Sequence, residues 1–155
     1  MLKRAGRVPA PPGKYVNSPA KAAAVLTPLF RGADREYGIA LGLDRQCRPL
    51  GVHVISMGQL ASHSIHPREV FKALILMNAH AWVFAHNHPS GGDLRHSKED
   101  HAVTRELVAA SALMAIPLVD HLIFTSDGRY RSLGDAGLLD PPQRTRGRKG
   151  GQSQP

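Results

Sequence analysis

The stretch AWVFAHNHPSGGDLRHSKED, residues 81–100, joins a short apolar run to a segment crowded with ionisable side chains. Ala81, Trp82, Val83 and Phe84 have the bulk and length of a strand buried on both faces. The sixteen positions from Ala85 to Asp100 then hold three histidines, two aspartates and a glutamate. His86 and His88 are separated by one residue. On an extended segment this puts both imidazoles on one face, roughly 6–7 Å apart along the strand. That geometry can chelate one ion, and a catalytic zinc takes three protein ligands and keeps a fourth position open. Asp100 is the candidate third ligand, because it falls in the first turn of a helix capped by Ser97, on the same stripe as Val103 and Leu107. Ser97-Lys98-Glu99-Asp100 also resembles a capping box, a common helix start that needs no metal. Two histidines on one strand face, a glycine-rich turn and an inward carboxylate together form a constellation that capping does not require.

The surrounding sequence supplies the elements. Ser18-Pro19 starts a helix with Ala22, Val25, Leu26, Leu29 and Phe30 on one side, and Pro28 is expected to kink or shorten it. Residues 37–43 read as a strand and 50–55 as a second, with Val52 and Val54 alternating against His53 across the turn 44–49. His66-Pro67-Arg68-Glu69 opens a second helix, in which Val70, Phe71, Leu74, Met77 and Asn78 keep helical spacing. The short buried strand is expected over 82–85. The third helix runs from its Ser97 cap to about Met114. Residues 117–124 form another strand, and Asp127-Gly128 turns the chain back through Tyr130 and Leu133. The order helix, hairpin, helix, strand, helix, hairpin implies an α/β fold with a mixed central β-sheet flanked by about three helices.

With 155 residues, 42% of them apolar, the chain can close one hydrophobic core. Its formal charge of +8 lies at the ends, where four basic residues precede Ser18 and four follow Asp140, while twelve basic and twelve acidic residues balance between them. Residues 1–17 and 141–155 have the composition of disordered basic tails around a domain over 18–140. Such tails are capable of weak phosphate contacts with nucleic acid. A single cysteine, Cys47, excludes an internal disulfide and a multi-cysteine zinc knuckle, and fits a reducing, cytoplasmic setting. No apolar run reaches the roughly 18 residues of a membrane span.

The opening stretch resembles the JAMM metalloprotease motif, an upstream glutamate followed by His-x-His, seven residues and Ser-x-x-Asp, and more closely its RadC branch. Leu43-Asp44, Ser56-Met57-Gly58, the His66 to Phe71 helix start, His86-Asn87-His88-Pro89-Ser90-Gly91, Asp100 with Thr104, and Asp120-His121 all look like that family, over roughly residues 18–135. Longer RadC proteins carry a helix-hairpin-helix region, and this chain is similar to the short forms. The resemblance implies a JAB/MPN domain with a cytidine-deaminase-like fold. It makes His86, His88 and Asp100 zinc ligands around a water whose pKa falls toward about 7. It also implies a glutamate general base just before the first hairpin strand, the place of Glu36, and an oxyanion-steadying role for Ser97. Glu69 competes for the base role, although its position at a helix start accounts for it without catalysis. Glu36 itself can be read as a solvated carboxylate paired with Arg35 or Arg31. The sequence departs from the pattern in one place: eight residues separate His88 from Ser97, and His96 stands where a proline is usual. The intact Ser-x-x-Asp and Gly91-Gly92 favour a loop that absorbs the extra residue; otherwise His96 intrudes on the site.

The expected function is zinc-dependent hydrolysis of an amide or isopeptide bond in a protein or peptide. The alternatives are a DNA-repair-associated protein, weakened by the near-neutral central region, and a JAB domain that acts as a scaffold. His121 is expected to make a buried hydrogen bond, and His53, His63, His80 and His101 to be surface or packing residues. A zinc deaminase needs a Pro-Cys-x-x-Cys that one cysteine cannot supply, and His-Glu-x-x-His is absent.

Overall fold

Three helices and five strands follow in the order α1 (Pro19–Phe30), β1 (Tyr37–Leu43), β2 (Pro49–Met57), α2 (Pro67–Leu76), β3 (Ala81–His88), α3 (Lys98–Met114), β4 (Leu118–Thr125) and β5 (Tyr130–Ser132). The computed structural model describes residues 15–57, 65–89 and 94–139. The two expected tails fall almost wholly outside the described residues, as does His63. Val16, however, is buried and donates its N–H to the Cys47 carbonyl at 2.7 Å.

The strands form one mixed sheet in the order β2-β1-β3-β4-β5. β1 is antiparallel to both its neighbours, β3 and β4 are parallel with α3 as the connection, and β4 and β5 are antiparallel. This is the α/β architecture that the order of elements implies. Central β3 is buried on both faces, and its side chains alternate between two cores. Val83 and Ala85 pack with Leu26 and Phe30 of α1, whereas Trp82 and Phe84 pack with Phe71 and Leu74 of α2 and Leu107 of α3. Trp82 Nε1 donates to Ser111 Oγ at 3.0 Å and ties α3 to the strand beneath it.

Some boundaries differ from expectation for clear reasons. β3 continues through His88, because His86 pairs with Gly38 of β1 and with Ile123 of β4, so its polar end is as much strand as its apolar start. α1 passes through Pro28 and stops at Phe30, two residues later. α2 ends at Leu76, earlier than its spacing implies: Met77 is the C-cap and Asn78 turns to φ +54°, a left-handed conformation that asparagine tolerates. No helix among the described residues is long and apolar enough to cross a membrane.

Asp120, near the start of β4, fixes the corner where the chain leaves β5. Its Oδ1 accepts from the His121 N–H at 2.7 Å and the Gly134 N–H at 3.0 Å, and the Ser132 hydroxyl lies within 2.9 Å of both carboxylate oxygens. Gly134 permits this approach, since a Cβ there would stand 2.9 Å from Asp120 Oδ1. Burial pushes the Asp120 carboxyl above its ordinary range, although Ser132, Gly134 and His121 pull the other way. An amide can keep the Oδ1 bonds without a buried charge. Asp120→Ala, which leaves several buried donors unpaired, is therefore expected to cost about 2–4 kcal/mol in urea unfolding, and Asp120→Asn about 1 kcal/mol or less. Equal losses in the two variants would refute this account of the corner.

Candidate metal centre

Alternation along β3 places His86 and His88 on the face of Trp82 and Phe84, toward α3. His86 is 1% exposed and its ring lies over Phe84, 5.9 Å between centroids. His88, at the strand's end, is partly exposed, so the site opens to solvent on that side. Ser97 starts α3 over this strand end, and the first turn of the helix brings Asp100 down onto the histidines. His86 Nε2 lies 3.0 Å from His88 Nε2 and 3.0 Å from Asp100 Oδ1, and His88 Nε2 lies 3.8 Å from Asp100 Oδ2. All the ligand atoms fall within 4.8 Å of one another. A tetrahedral ion with bonds of about 2.0–2.1 Å spaces its ligands by about 3.3 Å, so the donor set fits a single ion.

Asp100 serves the capping box and the cluster with different atoms. Its Oδ2 accepts from the Ser97 N–H at 2.6 Å, its own N–H donates to Ser97 Oγ at 3.0 Å, and Oδ1 faces His86. Burial alone would raise the Asp100 carboxyl. The contact with His86 and the bonds from Ser97 overcome this and hold it well below the ordinary carboxylate range. That direction favours the deprotonated carboxylate, the form in which a metal ligand binds.

Asn87 points by the same alternation to the other face, and sequence reasoning assigned it no role. It is 1% exposed; its Oδ1 accepts from the Tyr37 N–H at 2.8 Å and its Nδ2 donates to the Arg35 carbonyl at 3.0 Å. These two groups flank Glu36, so the residue between the histidines clamps the backbone on both sides of the glutamate. Glu36 is half-buried, two residues before the Gly38 that pairs with His86, and it is not a member of the three-residue cluster. The Arg35 guanidinium forks onto Asp34, with bonds of 3.0 and 2.9 Å. Glu69 is exposed in the first turn of α2 beside Arg68.

Behind the cluster, His86 Nδ1 lies 2.8 Å from His121 Nε2, and His121 Nδ1 lies 2.7 Å from the Thr104 hydroxyl. His121 has no solvent exposure, and burial, aided by the nearby His86, pushes its imidazole well below the usual histidine range. The expected buried hydrogen bond is therefore present. Its connection to a candidate ligand was not visible in the sequence, because β4 and β3 meet only in the folded sheet.

His96 does not join the ligand group. Its ring packs edge-on against His101, 4.2 Å between centroids, and burial lowers its pKa. The extra residue between His88 and Ser97 leaves Asp100 against His86. Of the other histidines, His66 stands at the start of α2 without a side-chain cap bond, His80 is exposed and His53 is half-buried on β2.

Residues 16–138 match the family model of the RadC-like JAB domain. The chain is similar to a UPF0758 protein of Methanosarcina acetivorans, 40% identical over 128 residues that cover 83% of this chain and 55% of that protein. It is similar also to a UPF0758 protein of Moorella thermoacetica, 43% identical over 124 residues, 80% of this chain and 53% of the relative. A UPF0758 protein of Syntrophotalea carbinolica is 40% identical over 139 residues, 90% and 60% of the two chains. The chain thus spans little more than half the length of these curated relatives.

Removing one convergent nitrogen should disable the centre. Protein loaded with a divalent ion and desalted is expected to retain about one ion per chain by mass spectrometry. His88→Ala should retain none, while His53→Ala, outside the cluster, behaves as wild type. Full retention by His88→Ala would remove His88 from the ligand set.

Proposed function

The chain belongs to the RadC-like JAB domain family, and on that premise we propose that it is a zinc-dependent hydrolase that cleaves an amide bond, peptide or isopeptide, in a protein or peptide substrate. The observation that carries this reading is the convergence of His86 Nε2, His88 Nε2 and Asp100 Oδ1 at the end of β3. Two imidazoles and one carboxylate are the ligand set of an open, catalytic zinc site, whereas closed structural sites are usually built with cysteine. When bound, the ion supplies Lewis acidity, lowering the pKa of a water to about 7 and polarising the scissile carbonyl.

The chain's own residues then carry the proton and the orientation. Glu36 is the proposed general base: its carboxylate takes a proton from the attacking water and passes it to the departing amine nitrogen as the carbon–nitrogen bond breaks. The Asn87 clamp supports this assignment, because fixed backbone on both sides restricts where the carboxylate can reach. Ser97 Oγ accepts from the Asp100 N–H, and its hydroxyl is the proposed donor to an oxyanion. Glu69 is less suited, since its place in the first turn of α2 is accounted for by the helix dipole. A cytoplasmic location accords with the lone thiol of Cys47.

The test uses zinc-loaded protein and a fluorogenic peptide library. Turnover is expected to disappear with a chelator and to return with zinc. Glu36→Gln should keep its metal and lose about 10²–10⁴-fold in rate. Undiminished turnover in Glu36→Gln would transfer the base role to Glu69. Zinc-loaded protein that cleaves no member of the library would favour a scaffold role, among them the DNA-repair-associated one.

A further inference from the structure

His121 and Thr104 lie outside the ligand set, yet the atoms between them and the cluster allow few arrangements of hydrogens. The Thr104 hydroxyl owns one hydrogen. It lies 2.6 Å from the Asp100 carbonyl, which can only accept, and 2.7 Å from His121 Nδ1. A helical threonine readily donates to the carbonyl four residues back. With its hydrogen so committed, the hydroxyl oxygen must accept, and His121 Nδ1 must carry the hydrogen it accepts. His121 has neither solvent nor a carboxylate on its ring, so a second hydrogen would bury an uncompensated charge. Its Nε2 is then a lone pair, and His86 Nδ1, 2.8 Å away, must donate to it. That leaves the lone pair of His86 on Nε2, the atom 3.0 Å from both Asp100 Oδ1 and His88 Nε2.

We propose that His121 and Thr104 are positioning residues for the metal centre: a one-directional hydrogen-bond relay that fixes His86 in its Nδ1–H tautomer and presents Nε2 to the ion. The inference rests on reading His86 as a ligand, as above. The relay begins at one ligand, on β3, and ends at the backbone carbonyl of another, Asp100 on α3, so a single chain of bonds sets the tautomer and ties the two ligand-bearing elements together. The reverse polarity leaves the Asp100 carbonyl, 2.6 Å from the Thr104 hydroxyl, without the hydrogen it accepts. Thr104 would then donate to His121 Nδ1, His121 Nε2–H to His86 Nδ1, and His86 Nε2–H toward Asp100, which puts a hydrogen where the ion belongs. The direction of the relay and the capacity to bind metal are therefore the same choice. The partner of a ligating imidazole's second nitrogen is usually a carboxylate, a carbonyl or water. Here it is a second imidazole, whose orientation depends on one threonine hydroxyl.

Zinc ion titrated against a chromophoric chelator reads the affinity, and ¹⁵N correlation spectra of the histidine rings read the tautomers. Thr104→Val removes the hydroxyl at nearly constant volume and is expected to weaken zinc binding by about 10–100-fold. Thr104→Ser should restore it to within about three-fold of wild type, since the hydroxyl does the work. In zinc-loaded wild type both His86 and His121 should carry their hydrogen on Nδ1. Zinc affinity of Thr104→Val within about two-fold of wild type would overturn the relay, and so would a hydrogen on His121 Nε2 in the zinc-loaded protein. The tautomer reading needs no variant and holds even if Thr104→Val fails to fold. Peptide cleavage failing while these results hold would sink the hydrolase reading alone, whereas wild-type protein that binds no zinc would sink both.

Discussion

The alternation of side chains along β3 is the constraint on which the rest of this structure depends. Trp82, Phe84, His86 and His88 share one face of the sheet, and Val83, Ala85 and Asn87 share the other. A slip of one residue in pairing with β1 or β4 would exchange the two sets, burying the imidazoles against α1 and turning Trp82 away from Phe71 and Ser111. The aromatic packing that holds the strand in register therefore also aims its histidines. Because a parallel β3–β4 pair needs a crossover, α3 must start beyond the end of β3, and its first turn lands over the histidines. Site and core are two ends of one strand.

At the polar end of that strand, several buried groups are held by short, directional contacts. Asp100 shares its oxygens between the helix cap and His86, and His121 satisfies both nitrogens with His86 and Thr104. Asn87 completes the backbone of the segment before β1. Asp120 performs the same service near the start of β4, where the end of β5 and Gly134 return to it. Groups buried in this way are expensive to leave unpaired. These contacts explain how a chain with an ordinary apolar core keeps so much polar chemistry inside it.

Much of this was legible in the sequence, because local chemistry dictates it. The Ser97 cap, the stripe of α3 and the limits of β1 depend on spacing and capping within a few residues, and α3 spans the range its cap and stripe imply. The pairing of His86 with His88, and the inward aim of Asp100, follow from the two-residue period of a strand and the 3.6-residue period of a helix. The end of β3 was less legible, since His86-Asn87-His88 has the polarity of a loop. Only neighbouring strands on both sides make it strand. Asn78 was similarly misread: its spacing continues the helix, but the chain turns there to reach β3.

What the sequence by itself determined was the order of elements, the mixed α/β class and three side chains able to hold an ion, all properties of periodicity and residue type. What only the tertiary structure decided was which distant residues serve those three. Asn87 reaches Arg35 and Tyr37 across fifty positions of chain, and His121 reaches His86 from another strand. These contacts are fixed by strand order and register. Both arise when non-local hydrogen bonds and the two cores form together, and no window of sequence contains them.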